Sequence, residues 1–222
     1  MSGSFNAESD RILGVDVDGG VWIKPGAAIA YRGDLSFERL PTTGAQSIAE
    51  AAVRELSPLV RANGTGRLYC AHRGSHVRIL RLRGETLVVS AQELLAFEDS
   101  LDFKLSLVGD GVGIAAGGLI VASLSGPGAV AIATHGEPLT LEVAPGNPVS
   151  TDPHATVAWS RGLTPRLKTD LSWRTAVGHG GQEPIQMCFE GAGFVIVQPF
   201  KDPSRLTLTD NPVSDVAKLI AS

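Results

Sequence analysis

The densest cluster of chemically capable side chains is a run of arginines. Arg67, Arg73, Arg78, Arg81 and Arg83 fall within seventeen residues, with His72 and His76 among them and no carboxylate before Glu85. Guanidinium groups at such density bind phosphate or carboxylate oxygens in bidentate fashion. Arg73, Arg78, Arg81 and Arg83 are therefore the candidate ligand-binding residues, for RNA or another anion. On a strand, Arg81 and Arg83 share one face and Arg78 takes the other. The plainer reading, which we favour, is a solvated edge strand protected by charge.

Other chemistry is sparse. The histidines are His72, His76, His135, His154 and His179, with no HxH or HExxH pairing. Asp152 and His154 could supply two ligands of a metal-dependent enzyme, but they lie in an ordinary loop, so no metal site or cofactor is expected. There is no GxSxG, and Ser160 has no acid–base partner in a recognisable arrangement, so no catalytic residue is assigned. Cys70 and Cys188 form neither a disulfide framework nor a CxxC; Cys70, within Leu68-Tyr69-Cys70-Ala71, reads as a buried reduced thiol.

The elements that carry these residues repeat. Small-aromatic-x-x-x-Leu occurs as Ala30-Tyr31…Leu35, Ala96-Phe97…Leu101 and Ala158-Trp159…Leu163. Each precedes a Gly-x-Gly that opens an apolar strand: Gly64-Thr65-Gly66, Gly126-Pro127-Gly128 and Gly191-Ala192-Gly193. The aromatics recur at spacings of 66 and 62 residues and the glycines at 62 and 65 (30, 96, 158; 64, 126, 191), so the two series keep step. Tyr31, Phe97 and Trp159 are expected at equivalent buried positions, and Gly66, Gly128 and Gly193 at equivalent turns. A phosphate loop is disfavoured because each Gly-x-Gly leads into a strand, not a helix.

Alternation and β-branching supply the strands. Ile12–Val17 and Val21–Lys24 read as a hairpin about Asp18-Gly19-Gly20, followed by a turn at Lys24-Pro25-Gly26. Leu101, Phe103, Leu105 and Leu107 mark a half-buried strand. From Gly111 to Gly136 there is no Asp, Glu, Lys or Arg, long enough for a bilayer span of about 20 residues. Its glycines and Pro127 instead indicate two buried strands around a turn. Gln46–Leu56 reads as a short helix, and Asp215–Ile220 as a short C-terminal one.

The expected fold is all-β, a pseudo-threefold β-sandwich or β-prism-like domain with one helical insertion. Residues 1–10 form a flexible start, 11–202 three repeats (about 12–74, 75–136 and 137–200), and 203–222 a tail. The insertions at 46–56, 109–118 and 174–183 fall at equivalent places, and their apolar residues offer a surface for an oligomer, a protein partner or peripheral membrane contact. The 222 residues carry 19 basic against 23 acidic side chains, a formal charge of −4, which argues against tight nucleic-acid binding by bulk charge. The first ten residues lack a basic n-region and an apolar h-region, and a cytoplasmic protein is expected.

The run from Val21 to Asp34, VWIKPGAAIAYRGD, resembles the opening signature of the altered inheritance of mitochondria protein 24 family. Leu124-Ser125-Gly126-Pro127-Gly128 and Phe189-Glu190-Gly191-Ala192-Gly193-Phe194 extend the resemblance over roughly residues 12–200. It implies a fold like that of the trp RNA-binding attenuation protein, no catalytic motif to carry over, and, for the mitochondrial member, a tie to inner-membrane organisation. The function expected is that of a non-enzymatic binding or scaffold protein.

Overall fold

The computed structural model describes residues 4–41, 59–108, 119–169 and 185–200, and every regular element among them is a strand. In chain order these are β1 (Ser4–Ser9), β2 (Ile12–Ile23), β3 (Ala28–Arg39), β4 (Val60–Cys70), β5 (His76–Ser90), β6 (Leu94–Glu98) and β7 (Asp102–Val108). There follow β8 (Leu119–Thr134), β9 (Leu139–Val143), β10 (Val149–Thr151), β11 (Thr156–Ser160), β12 (Arg166–Thr169), β13 (Ile185–Phe189) and β14 (Gly193–Val197). All pairings are antiparallel. The helices expected at 46–56 and 215–220, and the apolar insertions at 109–118 and 174–183, lie outside the described residues.

Two expected turns are strand interior instead. Leu13, Val15, Val17, Val21 and Ile23 are all buried at one parity, so the period of two runs straight through Asp18-Gly19-Gly20. β2 is accordingly one strand, with Gly19 and Gly20 opposite Gly64 and Asn63 of β4. Likewise Ala122, Leu124, Val130 and Ile132 keep one parity across Gly126-Pro127-Gly128, and β8 is a single strand of 16 residues. Gly66 and Gly128 thus sit within strands and Gly193 at the start of one, not at turns. The turn at Pro25-Gly26 is present, with Gly26 at φ 73°.

The strands form three meanders of like pairing. β4 lies between β2 and β3; β8 between β5 and the pair β6/β7; β14 and β13 between β9/β10 and β11/β12. The register is the same in each. Tyr31 faces Leu68, Phe97 faces Val130 and Trp159 faces Val195. The register slips by one residue at Ile29, Leu95 and Val157, each just before the alanine of the motif. The turns entering these strands close identically, Ala27, Glu93 and Ala155 each donating a backbone N–H at 3.0 Å to the carbonyl three residues back.

Successive meanders are stitched edge to edge. Trp22 of β2 faces Phe97 of β6, and Val88 of β5 faces Trp159 of β11, again in matching register. An 11-stranded sheet results, with a path running from β3 at one end to β9 at the other, beside a three-stranded sheet β10-β13-β12. Buried side chains fall into three clusters that cross meander boundaries. Leu95 and Ala131 join the cluster of Leu13 and Leu68, while Val88 and Val121 join that of Trp159 and Phe189.

Glycine is required where β3 crosses β4. A Cβ at Gly64 would strike the Asp34 carbonyl, and one at Gly66 the Arg32 carbonyl. Gly64 also has φ 123°, disfavoured for any L side chain. Gly19, at φ 105°, has open space where its Cβ would be. Gly19→Ala should therefore cost only backbone strain, of order 1–3 kcal/mol. Gly64→Ala should cost that plus the clash and move the urea midpoint further; equal midpoints would refute the crossing geometry.

Candidate functional site

The arginine run does not converge. Arg73 lies in the turn after β4, exposed, with φ 47°. Arg78, Arg81 and Arg83 lie on β5, facing Ile132, Ala129 and Pro127 of β8, so Arg78 points to the opposite side from the other two. Arg78 is ion-paired with Glu137, and Arg81 donates at 3.4 Å to the Phe5 carbonyl. At Arg83 the backbone N–H donates at 2.9 Å to the Glu85 carboxylate, which such backbone donors hold below the usual carboxylate range. Arg67, on β4, is held between Glu8 and Asp16; these bonds raise its pKa, and Arg67 lowers that of Asp16. Glu8 and Asp16 thus offset the charge of Arg67, and Glu137 that of Arg78.

The other candidates are local structure. Asp152 Oδ1 accepts the His154 backbone N–H at 2.9 Å, the geometry of an Asx turn. No group of three His, Cys, Asp or Glu able to hold a metal ion occurs among the described residues. Cys70 is buried, and desolvation pushes its thiol pKa up to about 12, which suits an inert core thiol. No helix among the described residues is long and apolar enough to cross a membrane.

A buried polar cluster escaped the sequence reading. Gln198 donates at 3.2 Å to Glu93 Oε1 and accepts the His135 backbone N–H at 2.9 Å. The His135 ring approaches Ser75 Oγ at 3.5 Å and packs on Phe200, ring centroids 4.6 Å apart. Glu93 occupies the position of Ala27 and Ala155 in the other meanders, where alanine closes the same turn. That carboxylate at a turn where the other two meanders have alanine was the available signal. His72 lies nearby, its pKa pushed down to about 4 by burial and then by the positive charges of Lys24, Arg73 and His135.

The most distinctive surface is β3. It ends the sheet path, bonded to β4 on one side only. Ile29 and Tyr31 are 55% and 54% exposed, and Tyr31 meets Phe37 edge-on, centroids 5.3 Å apart. The expectation that all three motif aromatics are buried fails here: Phe97 and Trp159 are 0% and 2% exposed. Leu95 and Val157, the counterparts of Ile29, are also fully buried. The cause is the missing neighbour. β6 and β11 are covered by β2 and β5 of the preceding meander, whereas no described strand lies on the outer edge of β3.

Three antiparallel meanders joined through their aromatic strands define an all-β protein. Residues 5–200 match the family model described as mitochondrial biogenesis AIM24, and the chain belongs to that family. No curated protein matches it. The fold is similar to the crystal structure of a Streptococcus pyogenes protein, with a TM-score of 0.69 at 19% identity, over 90% of this chain and 94% of that one.

His72 gives the polar end of the molecule a pH dependence of defined sign. With the folded pKa near 4 and the unfolded one near 6.5, the unfolded chain takes up the proton first. The stability it contributes is full above about pH 6.5 and declines as pH falls towards 4. Urea midpoints compared at pH 7 and pH 5 should fall less for His72→Gln than for the wild type; an identical fall would remove His72 as the cause.

Proposed function

We propose that this chain is a non-enzymatic binding or scaffold protein whose working surface is the open edge of β3. The reading takes the three meanders as copies of one unit about an approximate threefold axis whose third junction is left unmade among the described residues: β10 and β3, which an exact axis would pair within one chain, lie in different sheets. The observation that carries it is the contrast of Ile29 and Tyr31 with their buried counterparts Leu95, Phe97, Val157 and Trp159. An edge strand with exposed apolar side chains is a template for another strand, and the charges of β3, which blunt such edges, lie from Arg32 to Arg39, beyond Ile29 and Tyr31. The cytoplasm is the compartment proposed with it.

RNA binding on the arginine strand is the competing reading, weakened by the carboxylates paired with Arg67 and Arg78. Filter binding to single-stranded RNA at low salt should give only weak, non-specific retention that disappears as salt rises. Tight retention abolished by Arg81→Ala with Arg83→Ala would replace the scaffold reading. A metal-dependent enzyme is a further rival. Titration calorimetry with Zn²⁺ should show no stoichiometric binding, and stoichiometric heat lost in His154→Ala would favour the enzyme.

The β3 surface itself makes an energetic prediction. Phe97→Ala empties a filled core position and should cost about 3–5 kcal/mol. Tyr31→Ala, at the equivalent register, should cost well under about 1 kcal/mol in the isolated chain, as exposed positions do. Comparable losses in urea unfolding would mean that Tyr31 is covered in solution by the same chain.

A further inference from the structure

We propose that the outer edge of β3 is completed by β10 of a second copy of this chain, in a fixed antiparallel register. The inference rests on the scaffold reading and names its partner. The two existing junctions supply the template. At the first, Val21, Trp22 and Ile23 face Glu98, Phe97 and Ala96; at the second, Leu87, Val88 and Val89 face Ser160, Trp159 and Ala158.

The donor strand of the third meander follows from its internal pairing. Val21 faces Ala62, Leu87 faces Leu124 and Val149 faces Phe189, each two residues before the first glycine of its Gly-x-Gly. Val149, Ser150 and Thr151 are therefore the counterparts of Leu87, Val88 and Val89. Carried to the acceptor strand, that register sets Val149 opposite Arg32, Ser150 opposite Tyr31 and Thr151 opposite Ala30.

Both edges are open among the described residues. β10 bonds to β13 on one side only and belongs to a different sheet from β3, so donor and acceptor of one chain do not pair with each other. A second copy brings each open edge its complement. It would add backbone hydrogen bonds to β3 and cover Ile29 and Tyr31, as β2 covers Leu95 and Phe97. Because the edges differ, the contact is head-to-tail, closing either as a reciprocal pair or as a small ring.

Disulfide trapping between two single variants tests this. Directly opposed residues in an antiparallel pair have Cβ atoms about 4.5–5.5 Å apart, near enough for a bridge after small adjustment. Tyr31 and Ser150 are exposed, so Tyr31→Cys and Ser150→Cys should fold as the wild type does, while Cys70 and Cys188 are buried and out of reach. Mixed under mild oxidation, with one variant carrying a size tag, the two should give a heterodimer on a non-reducing gel. Its yield should exceed at least tenfold that from Leu139→Cys mixed with Ser150→Cys, since Leu139 is exposed but off the predicted register.

Sedimentation velocity of the wild type over a concentration series should show self-association that Ile29→Ser with Tyr31→Ser removes. A strictly monomeric wild type, or no Tyr31–Ser150 bridge above the control, overturns the proposal. So does a bridge that forms only within one chain carrying both cysteines. None of these results bears on RNA or metal binding, so failure of the partner assignment remains distinct from failure of the scaffold reading.

Discussion

The close approach of an aromatic-bearing strand to a glycine-bearing strand is the constraint on which the rest of this structure depends. Gly128 leaves room for Ser100 and Leu101, and Gly193 for Ser160 and Leu163, where a Cβ would press on those side chains. At the first crossing the contact is tighter still, backbone against backbone, with Gly33 opposite Gly66. Leu35, Leu101 and Leu163, four residues beyond the motif aromatics, are all buried beside these crossings. At that first crossing the strands cannot slip, because a shift would drive a side chain into the facing backbone. That crossing fixes the register that sets Tyr31 opposite Leu68, and the same register sets Phe97 opposite Val130 and Trp159 opposite Val195.

That constraint explains what was legible in the sequence. The aromatic and Gly-x-Gly series kept step because each aromatic faces the residue two beyond its second glycine, a relation set by local sterics. What the glycines mean was less legible. Asp18-Gly19-Gly20 and Gly126-Pro127-Gly128 have turn chemistry, yet the buried parity on either side continues unbroken, and long-range pairing with β4 and β5 holds both segments extended. Glycine permits a turn and equally permits a close crossing, and composition alone does not separate them. The parity of Leu13, Val15 and Val17 with Val21 and Ile23 did carry the answer.

Burial and charge pairing were less legible because they depend on neighbours remote in sequence. Tyr31 carries the same motif as Phe97, but its exposure is decided by whether another strand lies alongside β3. The arginine run seemed unopposed because its partners come from elsewhere: Glu8 lies 59 residues from Arg67, and Glu137 59 residues from Arg78. Glu93 and Gln198 are 105 residues apart and meet only because two meanders bring their turns together. Local pattern therefore gave the framework, and the tertiary arrangement decided which parts of it are surface.

The junctions between meanders differ in their filling, and the difference bears on the role of β3. At the first, Trp22, Phe97 and Phe103 form an aromatic group with centroids 5.1–6.2 Å apart, and Arg61 caps the Trp22 ring at 6.0 Å. At the second, the large ring is Trp159, packed on Phe189 at 5.5 Å. Each junction has a bulky ring on the accepting strand, and β3 presents such a ring, Tyr31, packed only against Phe37 of its own strand among the ring contacts of the described residues. Its two faces are also largely sorted: Tyr31, Leu35 and Phe37 lie at one parity, with Arg39 at the strand's end, and Arg32, Asp34, Ser36 and Glu38 at the other. Alternation of that kind marks a strand with one covered and one solvated face, and of the apolar set Leu35 alone is buried within the chain. Ile29, Tyr31 and Phe37 are thus the apolar side chains of β3 left exposed beside an edge that no described strand covers.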